Sequence, residues 1–159
     1  RDELKSRGLG DVYKRQVLLF GQNEPNTKID LPKNNIYGEL HVGLFFQGVM
    51  NYEKQIYSGE KVCWYSRLGG GYGGILEWQG DYGWGGLGAI TMLKGKKNNH
   101  FELNAGGFLG RVKLSDDDGY PFMSPIFNVG YRYQKPEGGF IFRANAGIIS
   151  LGLSFGYAF

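Results

Sequence analysis

LGLSFGYAF, residues 151–159, alternates large apolar side chains with small ones without a break: Leu151, Leu153, Phe155, Tyr157 and Phe159 fall on one side, Gly152, Ser154, Gly156 and Ala158 on the other. Successive side chains of a β-strand point to opposite faces, so this period of two predicts a strand with one apolar face and one small face. Working back along the chain, the same alternation returns. In residues 100–110, His100, Glu102, Asn104 and Gly106 oppose Phe101, Leu103, Ala105 and Gly107. In residues 126–133, Asn128, Gly130 and Arg132 oppose Phe127, Val129, Tyr131 and Tyr133; in residues 140–147, Arg143, Asn145 and Gly147 oppose Phe140, Phe142, Ala144 and Ala146. Four less regular segments, 36–46, 49–57, 62–72 and 82–93, bring the total to eight.

Eight is the smallest even strand number among single-chain bacterial barrels, and strands of about 9–11 residues cross a bilayer at a tilt. The expected fold is therefore all-β, a closed antiparallel up-and-down barrel of about eight strands, transmembrane, over residues 36–159. With both chain ends on the periplasmic side, short turns rich in turn formers fall at residues 58–60, 95–99 and 134–139. The opposite connections are longer at residues 74–81 and 113–125, and tight at Gln47 and Gly48 and near Ile149 and Ser150.

Periodicity does not say which face is inside. A soluble lipocalin-like barrel holding a small apolar ligand turns its apolar residues inward and its polar ones to water. The polar members of the last four strands are glycine, serine, alanine and asparagine with a few arginines and histidines, whereas a water-facing surface calls for many lysines and glutamates. The apolar faces are therefore expected outside, with Tyr131, Tyr133, Phe140, Phe142, Tyr157 and Phe159 against lipid and the last strand paired to the first.

Composition points the same way. The 28 glycines accompany 11 tyrosines, 11 phenylalanines and three tryptophans, without the G-X-Y period of collagen or the polar tract of a disordered linker. Charged residues make up 21% with a net charge of +3, which leaves no concentrated basic face for nucleic acid. The single cysteine, Cys63, excludes an internal disulfide framework and a cysteine zinc site, and it reads as structural. No run of about 18 apolar residues is present, which excludes a helical membrane span. A mean hydropathy of -0.34 does not argue against a barrel, because its two strand faces average out.

Residues 1–16, RDELKSRGLGDVYKRQ, are charged and lack a hydrophobic period; RGLGDVYKRQ resembles translated sequencing-adapter read-through, so this leader is set apart from the fold. VLLFG, residues 17–21, reads as the remnant of a secretory signal peptide cleaved after Gly21. Residues 22–35 then read as a periplasmic N-terminal tail.

The terminal LGLSFGYAF resembles the strand signal by which outer-membrane barrels are recognised by the barrel assembly machinery, carried here by Leu153, Phe155, Tyr157 and Phe159. Together with NYEKQIY (51–57), KKNNHFELNAGG (96–107) and GYRYQKPEGGFIFRANAG (130–147), it makes residues 35–159 resemble a family of small eight-stranded outer-membrane barrels of the OmpA-like and OmpX-like type. The resemblance implies a fold and a location, the cell outer membrane of a Gram-negative bacterium, and brings no activity with it. The expected partners are outer-membrane lipid, lipopolysaccharide and, during biogenesis, the assembly machinery, with the protein a monomer that binds no nucleic acid.

With apolar faces outward, the inward set includes Glu39, His41, Asn51, Glu53, Arg67, His100, Glu102, Asn128, Arg132, Arg143 and Asn145. An eight-stranded interior is just wide enough to be filled by side chains, and a buried charge without a partner is costly. These residues are therefore expected to form a hydrogen-bonded polar network that plugs the lumen. Glu39 with His41, and His100 with Glu102, also stand two apart on one face, a spacing open to proton transfer or hydrolysis. A lipid A deacylase on a barrel of similar size sets a serine, a histidine and an acid near the outer leaflet. Here no serine stands beside either histidine at that spacing, and His100 begins its strand at the periplasmic end. No enzymatic chemistry, cofactor or metal is expected. Asp116, Asp117 and Asp118 lack the alternating spacing of an EF-hand, and Gly69, Gly70, Gly71, Gly73 and Gly74 lack the lysine of a phosphate loop, reading instead as strand ends and barrel bends. The function expected is a small outer-membrane barrel with a structural or surface-interaction role. The alternatives are the soluble ligand-binding barrel and, further off, an outer-membrane lipid-modifying enzyme.

Overall fold

Each strand carries a row of N–H and C=O groups on both sides, and a succession of antiparallel strands pairs all of them only by closing on itself. The computed structural model describes residues 30–75, 82–113, 119–148 and 150–159. Eight strands run through them: β1 (Asn34–Gly43), β2 (Phe45–Ser58), β3 (Val62–Ile75), β4 (Tyr82–Lys96), β5 (Asn99–Lys113), β6 (Tyr120–Gln134), β7 (Gly139–Gly147) and β8 (Ser150–Ala158). Each is antiparallel to the next, and β8 returns to β1 to close the barrel. The seam runs from Asn35 opposite Ala158 to Gly43 opposite Ser150. One step further, Asn34 and Phe159 exchange backbone hydrogen bonds of 2.9 and 2.8 Å.

The alternation in sequence becomes an inner and an outer face. Along β8, Ser154 and Ala158 are buried while Leu151, Leu153, Phe155 and Tyr157 are exposed, with Phe155 at 56% and Tyr157 at 58%. Phe155 packs at a tilt against Phe142 of β7, 5.3 Å between ring centroids, an outward cross-strand pair. Elsewhere Leu40, Met50, Leu68, Trp84, Phe101 and Phe127 are likewise exposed, while Glu39, Arg67, Glu102 and Arg132 are buried. Charge lies inside and apolar surface outside, the reverse of a soluble ligand carrier.

The interior is layered. At the end that holds both termini of the barrel, Leu31, Cys63, Tyr65 and Leu93 form an apolar floor. The segment preceding β1 seals it, since the Tyr65 hydroxyl donates to the Pro32 carbonyl at 2.9 Å and the Gln55 N–H to that of Lys33 at 2.7 Å. A charged layer follows. Beyond it, Val49, Leu87, Ala89 and Phe108 form a second apolar cluster, with Phe122 and Ile126 packed against it.

Several boundaries differ from the sequence reading. The first turn lies at Leu44, and Gln47 and Gly48 are strand residues paired with His41 and Leu40. This register sets inward Val49, Asn51 and Glu53 opposite inward Glu39, Tyr37 and Asn35, whereas a one-residue slip would send every one of these side chains to the wrong face. β6 begins at Tyr120, so residues 120–125 belong to a strand rather than a loop, despite Pro121 and Pro125. Among the described residues β7 pairs with β6 only from Asn128 onward, so Pro121 and Pro125 lie outside that ladder, where a proline's missing N–H is tolerated. Of the glycines of β3, Gly73 and Gly74 lie next to the strand's end at Ile75, whereas Gly69, Gly70 and Gly71 lie inside it. Gly70 pairs with Gly86 and Gly71 with Gly85 in mid-sheet, and a Cβ on Gly69 would strike Asn51 and Val49. β1 begins at Asn34, inside the stretch read as a tail. The leader and signal remnant at residues 1–21 lie outside the described residues, as do residues 76–81 and Asp116, Asp117 and Asp118.

Candidate functional site

Three strands each bring one glutamate into the charged layer and three others one arginine: Glu39, Glu53 and Glu102 from β1, β2 and β5, and Arg67, Arg132 and Arg143 from β3, β6 and β7. None is more than 3% exposed, and the charges balance. Arg132 donates from Nη1 and Nη2 to Glu53 at 2.8 and 2.9 Å and from Nε to Glu102 at 2.6 Å. Arg143 donates through Nε and Nη2 to Glu102 and through Nη1 to Glu39 at 2.9 Å. Arg67 donates to Glu39 at 2.5 Å and to Asn51 at 3.0 Å. Removing an ion from water costs several kcal/mol, and such burial is tolerated only when partners meet the remaining lone pairs. Those partners are Tyr37, Asn35 and Thr91 on Glu53, Asn104 on Glu102 and Ser154 on Glu39. Tyr37 lies at the centre, its ring 4.2 Å from the Arg143 guanidinium and its hydroxyl 2.6 Å from Glu53.

The remaining inward residues flank this cluster. His100 is buried near the floor, where Nε2 donates to the Gln134 carbonyl at 3.2 Å, and it makes no contact with Glu102 through a hydrogen bond. Asn128 and Asn145 are buried above the cluster on β6 and β7, and neither polar atom of Asn145 has a hydrogen-bond partner. His41 forms the upper boundary of the charged layer, with Nε2 2.8 Å from Glu39 Oε1. Its other ring nitrogen, Nδ1, is 3.3 Å from Ser150 Oγ, a residue 109 positions away that crosses the β1–β8 seam. Above these residues the barrel opens into a cavity of about 280 Å³ lined by Phe108, Phe122, Ile126, Asn128, His41 and Ser150.

Sequence reasoning did not single out Ser150, Tyr37, Thr91 or Ser154. Ser150 reads as a turn residue, and only the closure register brings it to His41. Tyr37 alternates in phase with Glu39 and His41, a signal present in the sequence but masked by the expectation that aromatics face outward. Leu153, Phe155, Tyr157 and Phe159 make no contact with the charged layer and project outward from the seam strand. Among the described residues, no three His, Cys, Asp or Glu side chains gather as a metal-binding set.

Fold and site together define a class: a closed eight-stranded barrel, charged within and apolar without. The sequence matches no protein-family model and no curated protein.

Proposed function

We propose that this chain is a small outer-membrane β-barrel whose lumen is plugged by the glutamate–arginine cluster and which serves a structural or surface-interaction role at the membrane surface. The observation that carries the reading is the inverted polarity: paired charges are buried in the interior while Leu40, Met50, Leu68, Ile90, Val129 and Leu153 are exposed around the middle of the outer wall. Exposed apolar surface on that scale needs an apolar neighbour, and a hydrocarbon layer surrounding the whole circumference supplies one. Aromatic side chains gather toward both ends of the wall, as girdles at two bilayer interfaces do. Tyr72, Tyr82 and Trp84 cluster near one end with centroids 5.7 and 5.3 Å apart, and Tyr131, Phe140, Tyr157 and Phe159 stand near the other. The strands, 9 to 15 residues long, reach the length of about 9–11 that a tilted crossing needs. On this reading the lipid-facing wall contacts outer-membrane lipid and lipopolysaccharide, the assembly machinery inserts the chain, and the protein stands as a monomer.

The test is the behaviour of the purified chain. Refolded in detergent and left unheated, it should migrate faster on a denaturing gel than after boiling, and it should float with lipid vesicles. A chain that stays a freely soluble monomer without detergent and does not float contradicts the proposal.

A further inference from the structure

We infer that the end of the barrel holding both of its termini carries a ring of lysines that binds the phosphodiester headgroups of anionic phospholipid in the surrounding leaflet. The inference deepens the membrane reading proposed above and rests on it; the ring itself belongs to the fold.

The ring is assembled by the topology. β2, β4 and β6 run toward this end, and β3, β5 and β7 leave from it. Lys54, Lys94 and Lys96 stand in the closing residues of β2 and β4; Lys61, Lys97 and Lys135 lie in the three connections, and Lys33 immediately precedes β1. All seven are exposed. The acidic residues described at this end, Asp30, Glu60 and Glu137, all lie outside the strands, so the exposed charges on the wall itself are lysines. The net charge of +3 does not reveal this, because the lysines are spread from residue 33 to residue 135 and gather only when the sheet closes.

Their level on the wall selects the partner. Tyr52, Phe101 and Tyr131 are exposed on the outer face. The Tyr52 and Tyr131 hydroxyls donate to Oδ1 of Asn34 and Asn99 at 2.7 and 2.6 Å, and each asparagine is the first residue of its strand. These rings therefore lie along the wall with their polar tips turned toward the strand ends, which marks where apolar surface gives way to polar. Lys54 stands opposite Asn34 and Lys94 opposite Phe101, so both lysines start at that boundary. A lysine's hydrocarbon stem lies along apolar surface while its ammonium reaches the polar medium beyond. On the membrane reading that medium is the headgroup layer, where the ammonium meets lipid phosphates. A zwitterionic headgroup brings its own cation to the phosphate; a headgroup without an amine leaves the negative charge to the lysine.

Two other roles fit less well. Lysines often blunt the open edge of a sheet, but a closed barrel has no such edge. A soluble polyanion would lie across the end of the barrel, where Asp30, Glu60 and Glu137 interrupt the positive charge, whereas lipid meets the wall.

The test uses the full chain refolded into phosphatidylcholine vesicles, with Trp64 as its single tryptophan (Trp78→Phe, Trp84→Phe) and the heat-modifiable gel shift as the check of folding for every variant. Trp64 lies on β3 between Tyr57 of β2 and Met92 of β4, in phase with the exposed Leu68. The vesicles contain a minor fraction of either phosphatidylglycerol or phosphatidylcholine brominated in one acyl chain, and bromine quenches tryptophan at contact range. Brominated phosphatidylglycerol should quench Trp64 as if at least about threefold more concentrated beside it than brominated phosphatidylcholine. The preference should vanish in Lys54→Gln/Lys94→Gln/Lys96→Gln and persist when the same three lysines become arginine. It should also vanish for the parent in salt of about 1 M, where the Debye length is about 3 Å, so the test does not depend on the variants folding. With Trp84, toward the opposite end of the wall, as the single tryptophan, no preference should be seen. Equal quenching of Trp64 by the two lipids, or a preference that survives the triple glutamine variant, overturns the lysine ring and leaves the membrane reading standing, because both lipids still quench. Equal quenching together with retention of the parent on heparin would assign the lysines to a soluble polyanion and likewise overturn the lipid. Quenching by neither lipid overturns the membrane reading and the ring with it.

Discussion

Arg132 touches two glutamates from two distant strands, and its whole side chain is out of water. Its replacement by methionine leaves three carboxylates facing two guanidiniums in the lumen, and an uncompensated buried charge of this kind costs about 3–5 kcal/mol. Arg132→Met should lower the urea midpoint of the refolded protein accordingly. Adding Glu53→Gln restores two carboxylates against two guanidiniums, so the double variant should be less destabilised than the sum of the single ones; strict additivity would show that the cluster does not act as a unit. At this scale the charges were legible in the sequence because they share the phase of inward residues. Their partners were less so. Tyr37 shares the phase of Glu39 and His41 but is of a residue type expected on the outer wall, and Thr91 is of a β-branched type common on either face of a strand. Ser150 meets His41, 109 positions earlier in the chain, only once the strands have gone round the barrel.

Strand β8 shows how an element can be read from sequence and where such reading stops. Its unbroken alternation predicts both its existence and its outer face, and β5 and β7 follow for the same reason. Boundaries near the mouth were misread because glycine and proline, which usually mark turns, here occupy strands: Gly48 stands in mid-ladder, and Pro121 and Pro125 pair with β5 in the part of β6 that lies beyond its ladder with β7. Closure depends on β8, since until it pairs with β1 both strands present unsatisfied N–H and C=O groups, which on the proposed membrane reading hydrocarbon cannot solvate. Phe159 carries the last two backbone bonds of the seam, to Asn34, and its ring is exposed at that end of the wall, which on the proposed reading is a bilayer interface where aromatics anchor a strand. Deleting Phe159 should therefore reduce the amount of heat-modifiable protein in isolated outer membranes, while His100→Gln, which alters a floor residue outside the seam, should leave that amount close to the parent's. Equal levels for the parent and the Phe159 deletion would remove the assembly role from this residue.

For the molecule as a whole, the account turns on polarity reversed between inside and outside. The balanced charges need a closed wall to exclude water from their hydrogen bonds, and on the proposed reading the apolar wall has lipid around it. The strand count and the alternation were legible from the sequence, whereas the direction of the apolar face was inferred from which polar residues were missing, because a period of two is the same for both directions. Nitroxide labels placed singly at Leu151→Cys, Leu153→Cys, Ser154→Cys and Phe155→Cys, in a Cys63→Ser background reconstituted in lipid vesicles, measure that direction. Electron paramagnetic resonance then compares collisions with oxygen, which concentrates in hydrocarbon, against collisions with a water-soluble nickel chelate. Oxygen should dominate at 151, 153 and 155, and both should be low at 154; nickel dominating at 153 and 155 would contradict the account.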